Sequence, residues 1–389
     1  MNVIRLFSLF LRKYKERRDS AKALEKTKAW VDRINSLQLF ETKRNTLALV
    51  RLDDIGDYLL FRNFLINYKS SRRFNNYKIT LIANIAWKEI FDCYDNQSVD
   101  DVIWVSKSRY LNDTDYREKL WTTIRRQGFE ITIDTSRTRP ILLNDTMTLA
   151  INSPIRIGNK NTTRYPKWNE FSDTLYTSIY NDSFASHEFL FNKDFTAWAV
   201  NEEIQQSAPV FSSAGVNVND GSKRIICFIG ASAMSRRWPA NRWIEFVRIL
   251  IQNGFTPILA GGTTDINIAR QIESTIKIDS IVGITSLPET FEWIRTSCAV
   301  VTGDTMAAHA AVSLNKPTII ISNGVNAARF VEYGTAGISK VAINYAKPYL
   351  DYLSNETNNP FYYFDGVTSD MKTISPEQVY KNLCGVLTL

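Results

Sequence analysis

Thr46-Leu-Ala-Leu-Val-Arg51, continuing as Leu52-Asp-Asp-Ile-Gly-Asp57 and then Tyr58-Leu-Leu-Phe61, is the stretch that decides the fold. The apolar run reads as a strand buried on both faces, and the helical pattern from Tyr58 onward follows after a polar turn. Gly56 permits a tight turn and lets a ligand approach backbone closely. Strand, turn and helix in this order are the opening unit of a doubly wound α/β domain.

The unit repeats outward from there. Lys78-Ile-Thr-Leu-Ile-Ala83, Asp101-Val-Ile-Trp-Val105 and Phe129-Glu-Ile-Thr-Ile-Asp134 read as further strands, each pair bracketing a helix-like segment. Residues 154–222 are less regular, and the stretch rich in Ser, Gly, Asn and Pro at 205–222 reads as a linker. A second series then follows: Arg224–Ile229, Phe255–Ala260, Cys298–Thr302 and Pro317–Ser322. Each strand stops at a small or polar turn, where open α/β sheets bind ligands. The expected organisation is a basic helical extension over 1–44, a Rossmann-like domain over 45–204, the linker, and a second Rossmann-like domain over 223–389. The two domains should face each other across a cleft.

The chain has 389 residues, enough for two cores of this kind, and carries a net charge of +7. Residues 1–44 hold 12 Lys/Arg and 5 Asp/Glu, so the whole excess lies there and the remaining residues balance. The basic character therefore gives no footprint for nucleic acid on the body of the protein. Val3, Ile4, Phe7, Phe10, Leu11 and Tyr14 recur at helical spacing beside Arg12, Lys13, Lys15, Arg17 and Arg18, and the helical pattern extends from residue 2 to 40. One reading is an in-plane helix on an anionic membrane surface. The other is a helix packed on the body or on another subunit. No apolar run reaches the ~20 residues of a membrane span, and the start does not read as a signal peptide. The expectation is a cytoplasmic protein, peripheral on the inner membrane if the extension binds lipid. Cys93, Cys227, Cys298 and Cys384 are scattered without a CxxC pair, which suggests neither zinc nor a disulfide framework.

Four constellations stand at strand ends. Arg51-Leu-Asp-Asp-Ile-Gly-Asp57 puts Asp57 in the first turn of a helix, where the helix dipole should keep it ionised. Such a carboxylate can be a general base facing the cleft, or one of Asp53, Asp54 and Asp57 can simply cap the helix. Gly230-Ala-Ser-Ala-Met-Ser-Arg-Arg-Trp-Pro239 offers hydroxyls, loop amides and a guanidinium, the groups a diphosphate needs, or else a solvated basic loop. Gly283-Ile-Thr-Ser-Leu-Pro-Glu289 is by itself a helix-start pattern. Val301-Thr-Gly-Asp-Thr-Met-Ala-Ala-His309 opens a small-residue helix that can pack closely. It carries one of only two histidines, either at the cleft or as a satisfied core residue.

In order and spacing, these segments resemble glycosyltransferase family 9, the heptosyltransferases of bacterial lipopolysaccharide assembly. The resemblance rests on Arg51, Gly56-Asp57, Gly230-Ala, Arg236-Arg-Trp-Pro239, Gly261-Gly262, Gly283–Glu289, Gly303-Asp304-Thr305 and His309, and covers roughly residues 45–335. It implies a GT-B fold, with the acceptor on the first domain and a nucleotide-sugar, ADP-heptose or another NDP-sugar, on the second. It also implies an inverting, metal-independent transfer of a heptose or related sugar, with no cofactor, to a lipid-linked, lipopolysaccharide or other cell-surface glycan acceptor. Asp57 would be the base. Gly56, Ser232, Arg236, Asp265, Thr285, Asp304, Thr305 and His309 would bind the donor, with Arg51, Asp54 and Arg329 as further substrate contacts. Arg236 stands where the family usually has a Lys, Asp265 where it often has a Glu that reaches the ribose, and Met306 where it normally has a Gly. Arg329-Phe330 belongs to a segment unlike that of the core heptosyltransferases. A sugar-nucleotide epimerase or hydrolase of the same fold, or a silent nucleotide-sugar-binding protein, are the alternatives.

Overall fold

A computed structural model describes residues 22, 24–162, 166–182, 186–211, 222–354 and 370–387. The first domain is a parallel sheet of β1 (Lys43–Arg51), β2 (Lys78–Asn84), β3 (Asp101–Val105), β4 (Phe129–Asp134), β5 (Ile155–Asn159) and β6 (Ser178–Tyr180). The second holds β7 (Arg224–Phe228), β8 (Thr256–Ala260), β9 (Asp279–Ser280), β10 (Ala299–Gly303), β11 (Thr318–Ser322) and β12 (Val341–Tyr345). Their orders are β3-β2-β1-β4-β5-β6 and β12-β11-β10-β7-β8-β9, the same doubly wound order read in opposite directions. The chain reverses its winding between β1 and β4, and again between β7 and β10. At such switch points the loops after neighbouring strands diverge and leave a crevice. Leu47 of β1 sits opposite both Ile79 and Ile131, and Leu47 to Val50 are wholly buried, hence the continuous apolar run.

Seven of the strands read from the sequence agree with the structure to within one residue, and β1 begins three residues earlier than read, at Lys43 rather than Thr46. β5, β6, β9 and β12 were not anticipated. β6 and β9 have 3 and 2 residues, too few to show a period, β5 lies in the less regular stretch after residue 154, and β12 is an edge strand buried only in part.

The leading segment departs more. Its described helix spans 24–35 and ends in a turn at Ser36, short of the expected 40, and Leu39 lies 69% exposed. Thr27, Trp30 and Ile34, spaced three and four apart, are buried against the first domain. Trp30 meets Tyr110 and Trp121 edge-on at 6.0 and 5.9 Å, Arg117 stacks 3.9 Å from its ring, and Arg33 pairs with Glu118 at 2.7 Å. This half of the segment is thus spent on the body of the protein. Phe7, Phe10, Leu11 and the Arg12–Arg18 cluster lie outside the described residues.

The linker is also partly built in. Phe211 is 2% exposed, wedged between Tyr94 of the first domain and Phe291 of the second at 4.8 and 5.1 Å. Arg62 stacks on it at 4.5 Å and donates to the Val210 carbonyl at 2.7 Å. Residues 212–221 lie outside the described residues. The helices Ile55–Phe61 and Met306–Ser313 pack directly across the domain boundary, and one apolar cluster runs through both domains.

Candidate active site

A cleft of about 530 Å³ opens between the carboxyl ends of the two sheets. Small-molecule sites run to about 300–1,000 Å³, and this cleft lies within that range. Asp54, Gly56, Asp57, Ser232, Arg236, Asp265, Thr285, Asp304, Thr305 and His309 all line it. Arg51 and Arg329 do not.

Asp57 occupies the first turn of the helix Ile55–Phe61. Asp54, at the N-cap position, makes no capping bond and is turned to Lys107 at 2.6 Å, so the capping role is not realised. Nor does Asp57 stay an ordinary ionised carboxylate. Burial, then the charge of Asp53, outweigh the nearby guanidiniums of Arg329 and Arg51 and push it up to about 7. The helix dipole is worth at most ~2 kcal/mol, too little to offset burial beside two other carboxylates.

Arg51, expected as a substrate contact, is wholly buried beneath this turn. It donates to the carbonyls of Thr135 at 2.8 Å and Asp57 at 3.1 Å, pairs with Asp53 at 3.2 Å and stacks 4.5 Å from the Phe61 ring. It holds the Asp57 turn from below. Arg329 reaches from the second domain into the first. Its Nε and Nη2 donate to Glu188 at 2.7 and 3.2 Å and its Nη1 to Thr138 at 3.1 Å, leaving Nη2 3.9 Å from Asp57. Glu188 is fully buried. Burial alone would raise its carboxyl, but Arg329, Arg137 and Arg51 hold it at about 2. Sequence reasoning missed Glu188, because it opens a helix inside the stretch that showed no clear period.

Gly56 lines the cleft, and it also has a part across the domain boundary. It is helical, and a Cβ there would lie 2.9 Å from His309 Cδ2. The glycine lets the two domains touch. Gly56→Ala is expected to force them apart at the cleft, costing about 1–3 kcal/mol of stability and weakening donor binding. Thermal unfolding and nucleotide titration of the variant would check it.

On the opposite wall, Thr305 caps the helix Met306–Ser313, its hydroxyl accepting from the Ala307 amide at 3.2 Å. The positive end of that helix dipole therefore faces the cleft. Arg236 donates to Ser232 Oγ at 2.6 Å and to the Asp304 carbonyl at 3.2 Å, and pairs with its carboxylate at 3.4 Å. Asp304 is itself raised by burial, against the pull of Arg236. Asp265 gives one oxygen to Arg237 at 3.2 Å and the other to the Gly262 amide at 2.9 Å. A Cβ on Gly230 would fall 2.0 Å from that carboxylate, so Gly230 is there for Asp265. Arg237, quoted in the Gly230–Pro239 loop but given no role of its own by the sequence reading, is what fixes it. Thr285 hydrogen-bonds Thr290 at 2.8 Å, and Ser286 and Glu289 form the capping box anticipated for that helix start. His309 is 4% exposed and hydrogen-bonded through Nδ1 to Tyr333. Among the described residues no group of three His, Cys, Asp or Glu is gathered as a metal site, and no helix is long and apolar enough to cross a membrane.

The family model for glycosyltransferase family 9 (heptosyltransferase) matches residues 117–333. No curated protein matches the chain. Among solved structures, a family 9 glycosyltransferase from Veillonella parvula is 17% identical, with a TM-score of 0.66 over 90% of this chain and 99% of that one. The E. coli heptosyltransferase WaaC with ADP is 13% identical, with a TM-score of 0.64 over 88% and 99%. E. coli ADP-heptose lipopolysaccharide heptosyltransferase II is 16% identical, with a TM-score of 0.60 over 88% and 98%.

Proposed function

Because the chain belongs to glycosyltransferase family 9, we propose that it transfers a heptose or related sugar from a nucleoside-diphosphate donor, with inversion and without a metal. The acceptor is a lipid-linked or lipopolysaccharide-type glycan. The observation that carries this reading is the placement of one raised carboxylate, Asp57, across the cleft from Arg236 and the Thr305-capped helix.

In this reading the diphosphate lies against Ser232, Arg236 and the helix start at Thr305, which neutralise its charge as a cation otherwise would. Binding draws Arg236 from Asp304 to the phosphate. The nucleoside extends toward Gly262, Asp265 and Thr285, and the sugar lies near Asp304 and His309. Asp57 takes the proton of the acceptor hydroxyl, whose oxygen attacks the anomeric carbon from the face opposite the leaving group. The bond from that carbon to the phosphate oxygen breaks, and the nucleoside diphosphate departs with the electron pair. A carboxylate near 7 is well matched to that proton. Residues 1–21 are proposed to lie on anionic lipid beside the acceptor, and flotation with acidic vesicles should fall when they are removed.

The test is a thermal-shift panel of ADP-, GDP-, UDP- and dTDP-sugars, followed by nucleotide release with and without a lipid-linked acceptor. One nucleotide class should raise the melting temperature, since a ligand of the folded state stabilises it by mass action. Release should require acceptor. Release at full rate without acceptor would overturn transfer as the activity.

A further inference from the structure

The chain has two histidines, and the fold sets them on either side of one tyrosine. Tyr333 is wholly buried at the domain boundary. Its ring lies 4.6 Å from that of His187 of the first domain, and its hydroxyl meets Nδ1 of His309 of the second. The opposite edge of the His309 ring faces the Gly56 turn. A Cβ on Gly56 would be 2.9 Å from Cδ2 and 3.4 Å from Nε2, which puts Nε2 one residue from Asp57 at the cleft wall.

The imidazole can be read as a donor or an acceptor at Nε2, and the two do opposite things in a transferase. Burial, and then the neighbouring His187, push His309 down to about 3, so it is neutral in working conditions. A neutral imidazole carries one proton. The Tyr333 hydroxyl is pushed well above its ordinary value by burial, so it keeps its proton. A phenol is a strong donor and a weak acceptor, whereas an unprotonated imidazole nitrogen is a strong acceptor. The stable arrangement is Tyr333 O–H donating to Nδ1. The ring proton must then sit on Nε2.

We infer that Tyr333 is a positioning residue that locks His309 as a neutral Nε2–H donor at the cleft wall beside Asp57. His309 then recognises an oxygen, a sugar hydroxyl or a diphosphate oxygen, and cannot compete with Asp57 for the acceptor proton. The inference rests on the transferase reading for the identity of that oxygen, but not for the tautomer itself. His187 is fixed in the same sense, since its Nδ1 accepts from the Phe189 amide at 3.2 Å.

The test is the pair of imidazole nitrogen shifts of the full chain labelled with 15N-histidine, at pH 7.5. His309→Gln, which removes one set of signals, identifies His309. A protonated Nε2 with a bare Nδ1 is expected. A proton on Nδ1, or an imidazolium, would overturn the inference while leaving transfer by Asp57 intact. In Tyr333→Phe the tautomer bias should be lost, with the donor KM rising about tenfold and kcat falling less. Unchanged shifts and unchanged KM in that variant would overturn it too. If Tyr333→Phe does not fold, the wild-type spectrum still decides.

Discussion

Asp57→Asn is expected to lose sugar transfer by at least about 10³-fold while binding donor nucleotide as the wild type does. General base catalysis is worth about 10²–10⁴-fold, and Asp57 lines the cleft in which the reaction is proposed to occur. Asn keeps the shape and the helix turn, which Arg51 holds through the Asp57 backbone carbonyl rather than its side chain. The fold should therefore survive, and a second effect separates this loss from damage. The Asp57 carboxyl is raised in the folded protein, so the wild type is most stable when it is protonated and loses that stability as pH climbs from about 4 through 7. The Asn variant has no such loss. Relative to wild type it should gain stability over that range, with a ceiling of about 4 kcal/mol. Chemical denaturation at pH 4.5 and 8 measures it. A variant that transfers sugar normally ends the assignment of the base.

The second large effect belongs to the buried pair between Glu188 and Arg329. Three guanidiniums surround one carboxylate: Arg329 at 2.7 Å, Arg137 at 3.6 Å and Arg51 at 4.0 Å. Glu188→Gln leaves those cations facing a neutral amide, and breaking a buried pair in this way costs about 3–5 kcal/mol. Glu188 is held at about 2, far below the ordinary value, so its contribution is fully present above the unfolded carboxylate range and fades as pH falls from about 4.5 through 2. Denaturation at pH 7 should show the full loss, and a change below 1 kcal/mol would mean that the network is not what joins the domains. The same pair acts on Asp57. Glu188 raises its carboxyl and Arg329 lowers it. Removing Glu188 should move the acid limb of the rate profile down, and Arg329→Met should move it up.

The architecture was legible wherever strands are long and buried on both faces. The run at 46–51 and its counterparts at 129–134, 224–228 and 318–322 carry the whole pattern in local hydrophobicity. The short outer strands carry none, since two or three residues cannot show a period. The cleft residues were legible as motifs at strand ends because a sheet of this winding gathers such ends at one crevice. What local sequence could not convey was which charges are already spoken for. Arg51 and Arg329 look like free cations in the chain, yet Arg51 is held by Asp53, the Asp57 carbonyl and the distant Thr135, and Arg329 by the distant Glu188. Gly56 reads as clearance for a ligand, and it also clears a histidine more than 250 positions away that local sequence could not reveal. Trp30 and Ile34 fit a membrane-facing stripe as well as a buried one. Only Trp121 and Tyr110, brought beside them by the fold, distinguish the two.

The most direct test of the account is the pH dependence of kcat/KM for sugar transfer by the wild-type enzyme, between pH 5 and 9. If Asp57 is the base in the environment described, the rate climbs about tenfold per pH unit at low pH and levels off with an inflection near 7. A profile that is flat across this range, with the chemical step limiting, would contradict it.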